Sequence, residues 1–131
     1  MKALDTPILL RLLRGDEKVR SLLRSFRGEE MATTEWNLLE LELALRADAR
    51  PGRERRRAAL AMLRRRLTVL PLDEGASKAS GEVRGDPRSP AELIQFAILA
   101  TLQSRGCDTW VTTKAAFSPK VRGTVKVHLV G

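Results

Sequence analysis

The feature of this sequence that most constrains its fold is the alternation of short apolar runs with longer segments of helical periodicity. Five runs predict β-strands, over residues 2–4, 31–34, 67–70, 109–112 and 124–129. Strands that are separated by helices pair in parallel, because the helix returns the chain to the edge where the first strand began. We therefore expect an α/β fold, a single domain over residues 1–131 whose parallel sheet has helices on both faces.

The helical segments have recognisable starts and stops. Asp5-Thr6-Pro7 combines an N-cap residue with a proline for the first turn, and Asn37 and Glu40 stand at capping-box spacing. Residues 39–45 are ambiguous, because leucine alternates there with glutamate and alanine as in a half-buried strand. We prefer a helix since Leu, Glu and Ala are strong helix formers, and Pro51-Gly52 predicts a break before the next helix.

Composition excludes several classes of protein. One cysteine, Cys107, and one histidine, His128, rule out a disulfide framework, a Cys/His zinc site and a two-histidine acid–base mechanism. The longest apolar stretch, residues 93–102, is far shorter than the roughly 20 residues of a membrane span. Asp5 and Arg11 interrupt the N-terminus before a signal-peptide core forms, so we expect a cytoplasmic protein without a membrane segment.

The net charge of +8 is concentrated in one segment. Between Arg50 and Arg66 lie eight arginines and a single acid, Glu54. Two interpretations stay open: a solvated helical face whose arginine stems cover apolar surface, or an electrostatic platform for nucleic acid or an acidic partner. Because aromatic side chains are few, any contact to RNA would be made mostly through phosphates. The candidate contact residues are Arg53, Arg56, Arg57, Arg64, Arg65 and Arg66.

A parallel sheet places its ligand site beyond the carboxyl ends of its strands. Asp5 follows the first predicted strand, a corner that ends at Glu40 follows the second, and residues 112–114 follow the fourth. Clustered carboxylates repel one another, and a hard divalent cation, which prefers oxygen ligands and activates water, would compensate. The alternative is that Asp5 and Glu40 only begin helices, where the macrodipole favours a negative charge.

Four segments carry a family resemblance. They are the opening MKALDTPILLRLLRG, Thr33-Thr34 followed by Leu38-Leu39-Glu40-Leu41, the strand LTVLPL at 67–72, and residues 106–117 with the closing run 121–127. In this order and at this length they resemble the PIN domains of the VapC toxin type. The resemblance implies an α/β/α sandwich with a central parallel sheet of four to five strands, a VapB-like antitoxin as partner, and a homodimer. It also implies an acidic site that binds Mg²⁺ or Mn²⁺ and cleaves RNA.

Carried over residue by residue, the resemblance assigns the first two acidic positions to Asp5 and Glu40. The third position falls on Gln95 when counted back from Gly106, and on Glu92 when counted forward from the preceding loop. Both alternatives stay open, since residues three apart on a helix share a face and Glu92 could reach the site in place of the expected aspartate.

The fourth acidic position falls on Lys114, or on Thr113 if the loop is shifted by one, and neither residue is acidic. An ammonium near the carboxylates would lower the affinity for a metal ion, and because it would itself offset their repulsion, the ion would not be needed. The main hypothesis is a metal-dependent endoribonuclease of the toxin type, catalytically impaired or intact, with Asp5, Glu40 and Glu92 as catalytic residues and metal ligands.

Two other hypotheses come from different classes. One is a non-catalytic PIN-like module that binds RNA backbone or an acidic protein partner through the basic helix at 53–66. The other is a homodimer formed through the apolar faces of the first helices and of the helix at 38–45, in which the carboxylates merely cap helices.

Overall fold

A computed structural model describes residues 1–48 and 52–131. Arg50 and the break predicted at Pro51 lie outside the described residues. The strands are β1 (Lys2–Leu4), β2 (Met31–Thr34), β3 (Thr68–Leu70), β4 (Thr109–Thr113) and β5 (Lys126–Val130). The helices are α1 (Thr6–Leu13), α2 (Glu17–Ser25), α3 (Glu35–Ala47), α4 (Arg53–Arg66), α5 (Glu74–Ala79) and α6 (Pro90–Ser104), with a 3-10 turn at Ser80–Glu82. All five predicted strands are present, and the ambiguous segment is helical.

The five strands form one sheet in the order β3-β2-β1-β4-β5, and every neighbouring pair is parallel. The chain builds outward from β1 through β2 to β3, then crosses to the other side of β1 for β4 and β5. The direction of winding therefore reverses between β1 and β4. A crevice forms at such a switch point, beyond the carboxyl ends of the two strands.

Helices cover both faces of the sheet, which confirms the α/β/α prediction. Successive residues of a strand contact helices on opposite faces of the sheet, because their side chains point to alternate faces. Trp110 packs into the layer of Leu99 on α6, whereas Val111 packs into the layer of Ile8 on α1 and Leu41 on α3. Truncating a fully buried leucine such as Leu99 to alanine costs about 2–5 kcal/mol. The strand ends at the crevice are thus fixed from both sides.

The start of α3 differs from the predicted cap at Asn37. Thr34, in an extended conformation, is the N-cap, and its hydroxyl accepts the Asn37 N–H at 3.0 Å. The helix begins three residues earlier than the Asn37–Glu40 spacing suggests, because threonine is also a favoured N-cap residue and Thr34 stands directly at the end of β2. This shift leaves the Asn37 side chain available for contacts elsewhere.

Within residues 1–48 and 52–131, no helix is both long and apolar enough to cross a membrane.

Candidate functional site

Asp5 lies where β1 ends and α1 begins. Its backbone N–H donates to the Val111 carbonyl on β4 at 3.0 Å. Its side chain caps α1, because Oδ1 accepts the Thr6 N–H at 2.9 Å, and Pro7 follows in the first turn, where no N–H is needed. These contacts hold the carboxylate at the switch point between β1 and β4.

Two further side chains donate to the Asp5 carboxylate. The Asn37 Nδ2 group donates to Oδ1 at 2.8 Å, and the Thr112 hydroxyl donates to Oδ2 at 2.5 Å. Asn37 is itself held by the Thr34 hydroxyl, which donates to Asn37 Oδ1 at 2.6 Å. Both carboxylate oxygens therefore accept hydrogen bonds from this chain, and Asp5 is only 6% exposed.

Burial dominates the electrostatics of Asp5. Loss of hydration is the main cause that raises the pKa of its carboxyl, and the nearby Glu40 charge acts in the same direction, so that the pKa is about 6. The hydrogen bonds from Thr112, Thr6 and Asn37 act in the opposite direction and offset the burial only in part. Asp5 thus takes up a proton more readily than an exposed aspartate does.

Glu40 approaches Asp5 from α3. Thr6 connects the two, because its hydroxyl donates to Glu40 Oε1 at 2.9 Å and accepts from Asn37 Nδ2 at 3.0 Å. The Asp-Thr pair at the start of α1 therefore supplies both a carboxylate and the hydroxyl that orients the second carboxylate. Asp5 and Glu40 line the same cavity, as their places beyond neighbouring strands predict.

We call this cavity the acid pocket. It has a volume of about 280 Å³. Its two carboxylates face walls that are mostly apolar, formed by Pro7, Ala91, Ile94, Ile98, Trp110, Ala115 and Ala116, with Gln95 as a further polar member. The pocket is therefore acidic at one side only.

Glu92 does not line the acid pocket. Its two oxygens accept hydrogen bonds from the Arg88 N–H at 3.0 Å and from the Ser118 hydroxyl at 2.7 Å. These two bonds, first that from Ser118, lower the pKa of the Glu92 carboxyl. Glu92 as third ligand stays a prediction, and in the structure its carboxylate ties the start of α6 to the loop between β4 and β5.

Gln95, the other candidate for the third position, does line the acid pocket, yet its amide is engaged elsewhere. Nε2 donates to the carbonyls of Ser118 and Val121, both at 2.8 Å, and Oε1 accepts the Ser118 N–H at 2.9 Å. Gln95 therefore fastens the loop between β4 and β5 to α6.

Lys114 and Thr113 also lie away from the acid pocket. The Thr113 hydroxyl accepts the Ala116 N–H at 3.2 Å inside a turn, and the Lys114 N–H donates to the Val130 carbonyl at 3.1 Å. Lys114 therefore does not lie beside the carboxylates, which was one of the alternatives that the sequence left open. This turn brings Ala115 and Ala116 to the acid pocket and Lys114 to a different cavity, on the side of α2.

The sequence model of the PIN domain matches residues 2–115, most of the chain. This chain belongs to the PIN domain family. No curated protein matches the sequence.

Solved structures share the fold of this PIN domain over nearly its whole length. A crystal structure of VapBC2 from Rickettsia felis bound to a promoter DNA fragment is 14% identical, covers 99% of this chain and 98% of that chain, and has a TM-score of 0.74. A toxin-antitoxin complex from Klebsiella pneumoniae is 17% identical, with coverages of 96% and 99% and a TM-score of 0.65. FitAcB from Neisseria gonorrhoeae is 21% identical, with coverages of 97% and 96% and a TM-score of 0.62.

PIN domains are generally nucleases that depend on divalent metal ions. The residues of this acid pocket offer such an ion few free oxygen ligands. Mg²⁺ and Mn²⁺ need several, whereas the Asp5 carboxylate already accepts two hydrogen bonds at Oδ1 and one at Oδ2. Among residues 1–48 and 52–131, no three Asp, Glu, His or Cys side chains come together where a metal could bind. Gln95, one of the two candidates for the family's third position, offers an amide that is already bonded.

The predicted basic helix is α4, and its arginines differ in their surroundings. Arg64 forms a bidentate pair with Glu35 of α3, at 2.8 and 2.9 Å. Arg56 is half-buried, whereas the others among the predicted contacts are exposed to solvent; these are Arg53, Arg57, Arg65 and Arg66. The basic surface of this PIN domain is thus formed mainly by those four exposed side chains.

Sequence reasoning missed two residues of the site. Asn37 was read as a helix cap, and Thr112 was noted only as part of a strand end. A weak sequence signal pointed to both residues. Asn37 lies shortly after β2 and Thr112 lies near the end of β4, and both of these strands are neighbours of β1, which Asp5 follows.

Proposed function

We propose that this PIN domain acts by binding a partner protein of the antitoxin type, and that its acid pocket does not support metal-dependent cleavage of RNA. The observation that carries the second part is the state of Asp5. Its Oδ1 already accepts two hydrogen bonds, from Thr6 and Asn37, and its Oδ2 accepts one from Thr112. Gln95, a candidate for the third acidic position, is an amide that holds a loop.

The partner surface that we propose comprises α3 and α4. Leu39 and Leu43 lie one turn apart on α3 and are 52% and 56% exposed. Beside them runs a groove between the two helices, and its lining consists of Glu35, Leu38, Leu39, Glu42, Leu60 and Arg64. The two glutamates are already paired with arginines, Glu35 with Arg64 and Glu42 with Arg46. Neighbouring exposed leucines at the rim of a groove are typical of an interaction surface.

The charge beside these leucines favours an acidic occupant. The exposed arginines of α4 present positive charge over the length of the helix, and phosphate groups would gain nothing from Leu39 and Leu43. A protein segment that combines apolar and acidic side chains matches both features. The structural neighbours named above are toxin-antitoxin complexes, which supports a partner of that kind.

A display experiment tests the partner surface. A phage library of random 20-residue peptides is selected on the wild-type protein, and the Leu39→Ser/Leu43→Ser variant is then tested for binding of the enriched clones. We expect sequences rich in Leu, Ile, Asp and Glu that lose binding to the variant. The control is Leu72→Ser/Leu93→Ser, which removes two leucines of similar exposure elsewhere and should keep binding.

Two outcomes contradict the proposal. Clones that bind both variants equally well place the interaction on another surface. A wild-type dimer in sedimentation experiments that Leu39→Ser/Leu43→Ser converts to a monomer means that a second copy of this chain covers the face, as the homodimer hypothesis states.

A metal-dependent endoribonuclease is the second candidate function. It is favoured by one observation, the convergence of Asp5 and Glu40 in a single cavity. The assay follows labelled RNA with Mn²⁺ present or chelated, using wild type and Asp5→Asn. Cleavage that requires the metal and disappears in Asp5→Asn establishes this candidate; we expect no such cleavage.

A further inference from the structure

The strand β5 lies at one edge of the sheet and, in the described part of the chain, pairs with β4 alone. It has five residues, a usual length for a strand. The strand at the other edge, β3, has only three residues and is followed by Pro71. Short strands and prolines protect a sheet edge from pairing with another chain, so the edge at β5 is the less protected of the two.

The hydrogen bonds to the rest of the sheet engage alternate residues of β5. The Lys126 N–H donates to the Asp108 carbonyl at 3.0 Å, and four residues later the Val130 carbonyl accepts the Lys114 N–H at 3.1 Å. In a strand, the N–H and C=O groups of one residue point to the same side and those of the next residue point to the opposite side. The first, third and fifth residues of β5 therefore face β4.

The second and fourth residues of β5 are Val127 and Leu129, and their N–H and C=O groups point away from the sheet. Within residues 1–48 and 52–131, these four backbone groups make no hydrogen bond. Leu129 is 39% exposed and Val127 is half-buried, so the edge is open to solvent. A second extended backbone can satisfy such groups, because its own N–H and C=O groups alternate with the same spacing.

The side chains of β5 differ between the two faces of the strand. Val127 packs against the core cluster that contains Leu99 of α6, and Leu129 shares its face because residues two apart on a strand do so. Lys126 and His128 lie on the opposite face and are exposed. A further strand would therefore match β5 best if its side chains alternated between apolar and polar.

The charge near β5 favours an acidic strand. From residue 109 to residue 131 the sequence contains no Asp or Glu, and its basic residues are Lys114, Lys120, Arg122 and Lys126. In the described residues, Lys126 takes part in no ion pair. Opposite charges on paired strands stabilise a sheet, and like charges destabilise it. A second copy of this chain, with its net charge of +8, is therefore a poorer occupant than an acidic segment.

We propose that β5 binds an extended acidic segment of a partner protein as a sixth strand of the sheet. The backbone groups of Val127 and Leu129 supply the main-chain hydrogen bonds, and Lys126 attracts the acidic side chains. This site uses none of the residues of the partner surface on α3 and α4, so it goes beyond the proposed function and is tested separately from it.

The probe is a fluorescein-labelled peptide of eight residues in which glutamate alternates with valine, and the control peptide has lysine in place of each glutamate. Binding to wild type, Leu129→Pro and Leu129→Thr is measured by anisotropy. Proline removes the outward N–H and no bond to β4, and edge strands accept proline at such positions. Threonine keeps the N–H and has a high propensity for strands. Thermal denaturation checks that each variant is folded.

We expect Leu129→Pro to bind the acidic peptide at least about fivefold more weakly than wild type, because a main-chain hydrogen bond is lost and its acceptor is left without a donor. Leu129→Thr should bind nearly as well as wild type, and the lysine peptide should bind more weakly to all three proteins. Equal losses in the two variants would mean a side-chain contact and contradict the proposal. Equal affinities of wild type for the two peptides would contradict it as well.

Amide hydrogen exchange in the wild-type protein tests the same contact without a substitution, so the proposal stays testable if Leu129→Pro does not fold. The acidic peptide should slow the exchange of the Val127 and Leu129 N–H groups. The His128 N–H faces β4 and should exchange at the same rate with and without the peptide. Unchanged exchange at Val127 and Leu129 would overturn the proposal. Slow exchange of these two groups before peptide is added, in a protein that sediments as a dimer, would overturn it in favour of a second copy.

The Leu39→Ser/Leu43→Ser variant separates this site from the partner surface on α3 and α4. With the acidic peptide, this variant should show the same slowing of exchange at Val127 and Leu129 as wild type. Loss of the slowing in this variant would mean that the peptide binds at α3 and α4, and the proposal for β5 would fail while the proposed function stands.

Discussion

The acid pocket and a second cavity lie at the carboxyl edge of the same sheet, and the ionisable side chains that line them differ in charge. The second cavity, which we call the cationic pocket, is lined by Lys18, Leu22, Lys114, His128, Leu129, Val130 and Gly131. The Asp5 carboxylate is buried and accepts hydrogen bonds from three residues of its own chain. Lys18 and Lys114 are exposed, and their ammonium groups lie in solvent. The fold therefore fixes the Asp5 carboxyl at the cost of burying it, whereas the two lysine side chains contribute little to the fold.

The loop between β4 and β5 lies between the two pockets. Releasing this loop by a substitution at Gln95 should have the largest predicted effect on stability. Gln95→Ala removes three hydrogen bonds and leaves the carbonyls of Ser118 and Val121 without their donor. We expect a loss of about 3–4 kcal/mol in the free energy of unfolding. Urea denaturation measures it, with Gln103→Ala as the control. Gln103 makes weaker, exposed contacts, and its loss should cost about 1 kcal/mol or less.

A loss of less than 1 kcal/mol in Gln95→Ala would mean that the amide does not fasten the loop. The acid pocket would then be open to rearrangement, and the contrast between the two pockets would weaken.

The pH dependence of stability tests the burial of Asp5. Because its pKa is raised to about 6 in the folded state, the native protein binds a proton there more tightly than the unfolded chain does. The contribution of protonated Asp5 to the free energy of unfolding is fully present below about pH 4 and is lost as the pH rises through about 6. The free energy of unfolding then falls by about 3 kcal/mol. Asp5→Asn should abolish this part of the slope in urea unfolding between pH 4 and 7.

Asp108→Asn is the control for that measurement. Asp108 is exposed, and hydrogen bonds from Thr109 and from the N-terminal ammonium lower its pKa to about 2, so its effect has the opposite sign. This variant should retain the fall in stability between pH 4 and 7. An identical slope in Asp5→Asn and wild type would show that Asp5 is charged and well solvated.

The smallest predicted effect belongs to the cationic pocket. Lys18→Gln/Lys114→Gln should change the free energy of unfolding by less than about 0.5 kcal/mol, because neither side chain supports the fold. Urea denaturation at low salt measures it. A loss above 1 kcal/mol would mean that the lysines are structural, and the contrast between the buried Asp5 carboxyl and the exposed lysines would be lost.

The sequence predicted the parts of the molecule that depend on local pattern. Apolar runs specified the five strands, and the rule that parallel strands present their carboxyl ends to one edge brought Asp5 and Glu40 together. Asn37 was misassigned because Thr34 and Asn37 are both acceptable caps, and only the packing of α3 against the strand end decides between them.

The remainder of the site depends on a loop that follows no periodicity. Glu92 and Gln95 share a helix face, but their partners are backbone groups around Ser118, which the spacing of side chains does not reveal. The direction of Lys114 is likewise set by a backbone hydrogen bond to Val130. The family resemblance therefore identified the helix and the strand that carry these residues, but it did not identify what their side chains contact.

The most direct test of the central claim, that the acid pocket is no metal centre, is a calorimetric titration of Mn²⁺ into the wild-type protein and into Asp5→Asn. The account predicts no saturable binding that depends on Asp5, so the two titrations should be indistinguishable. Stoichiometric binding in the wild type that disappears in Asp5→Asn would contradict it.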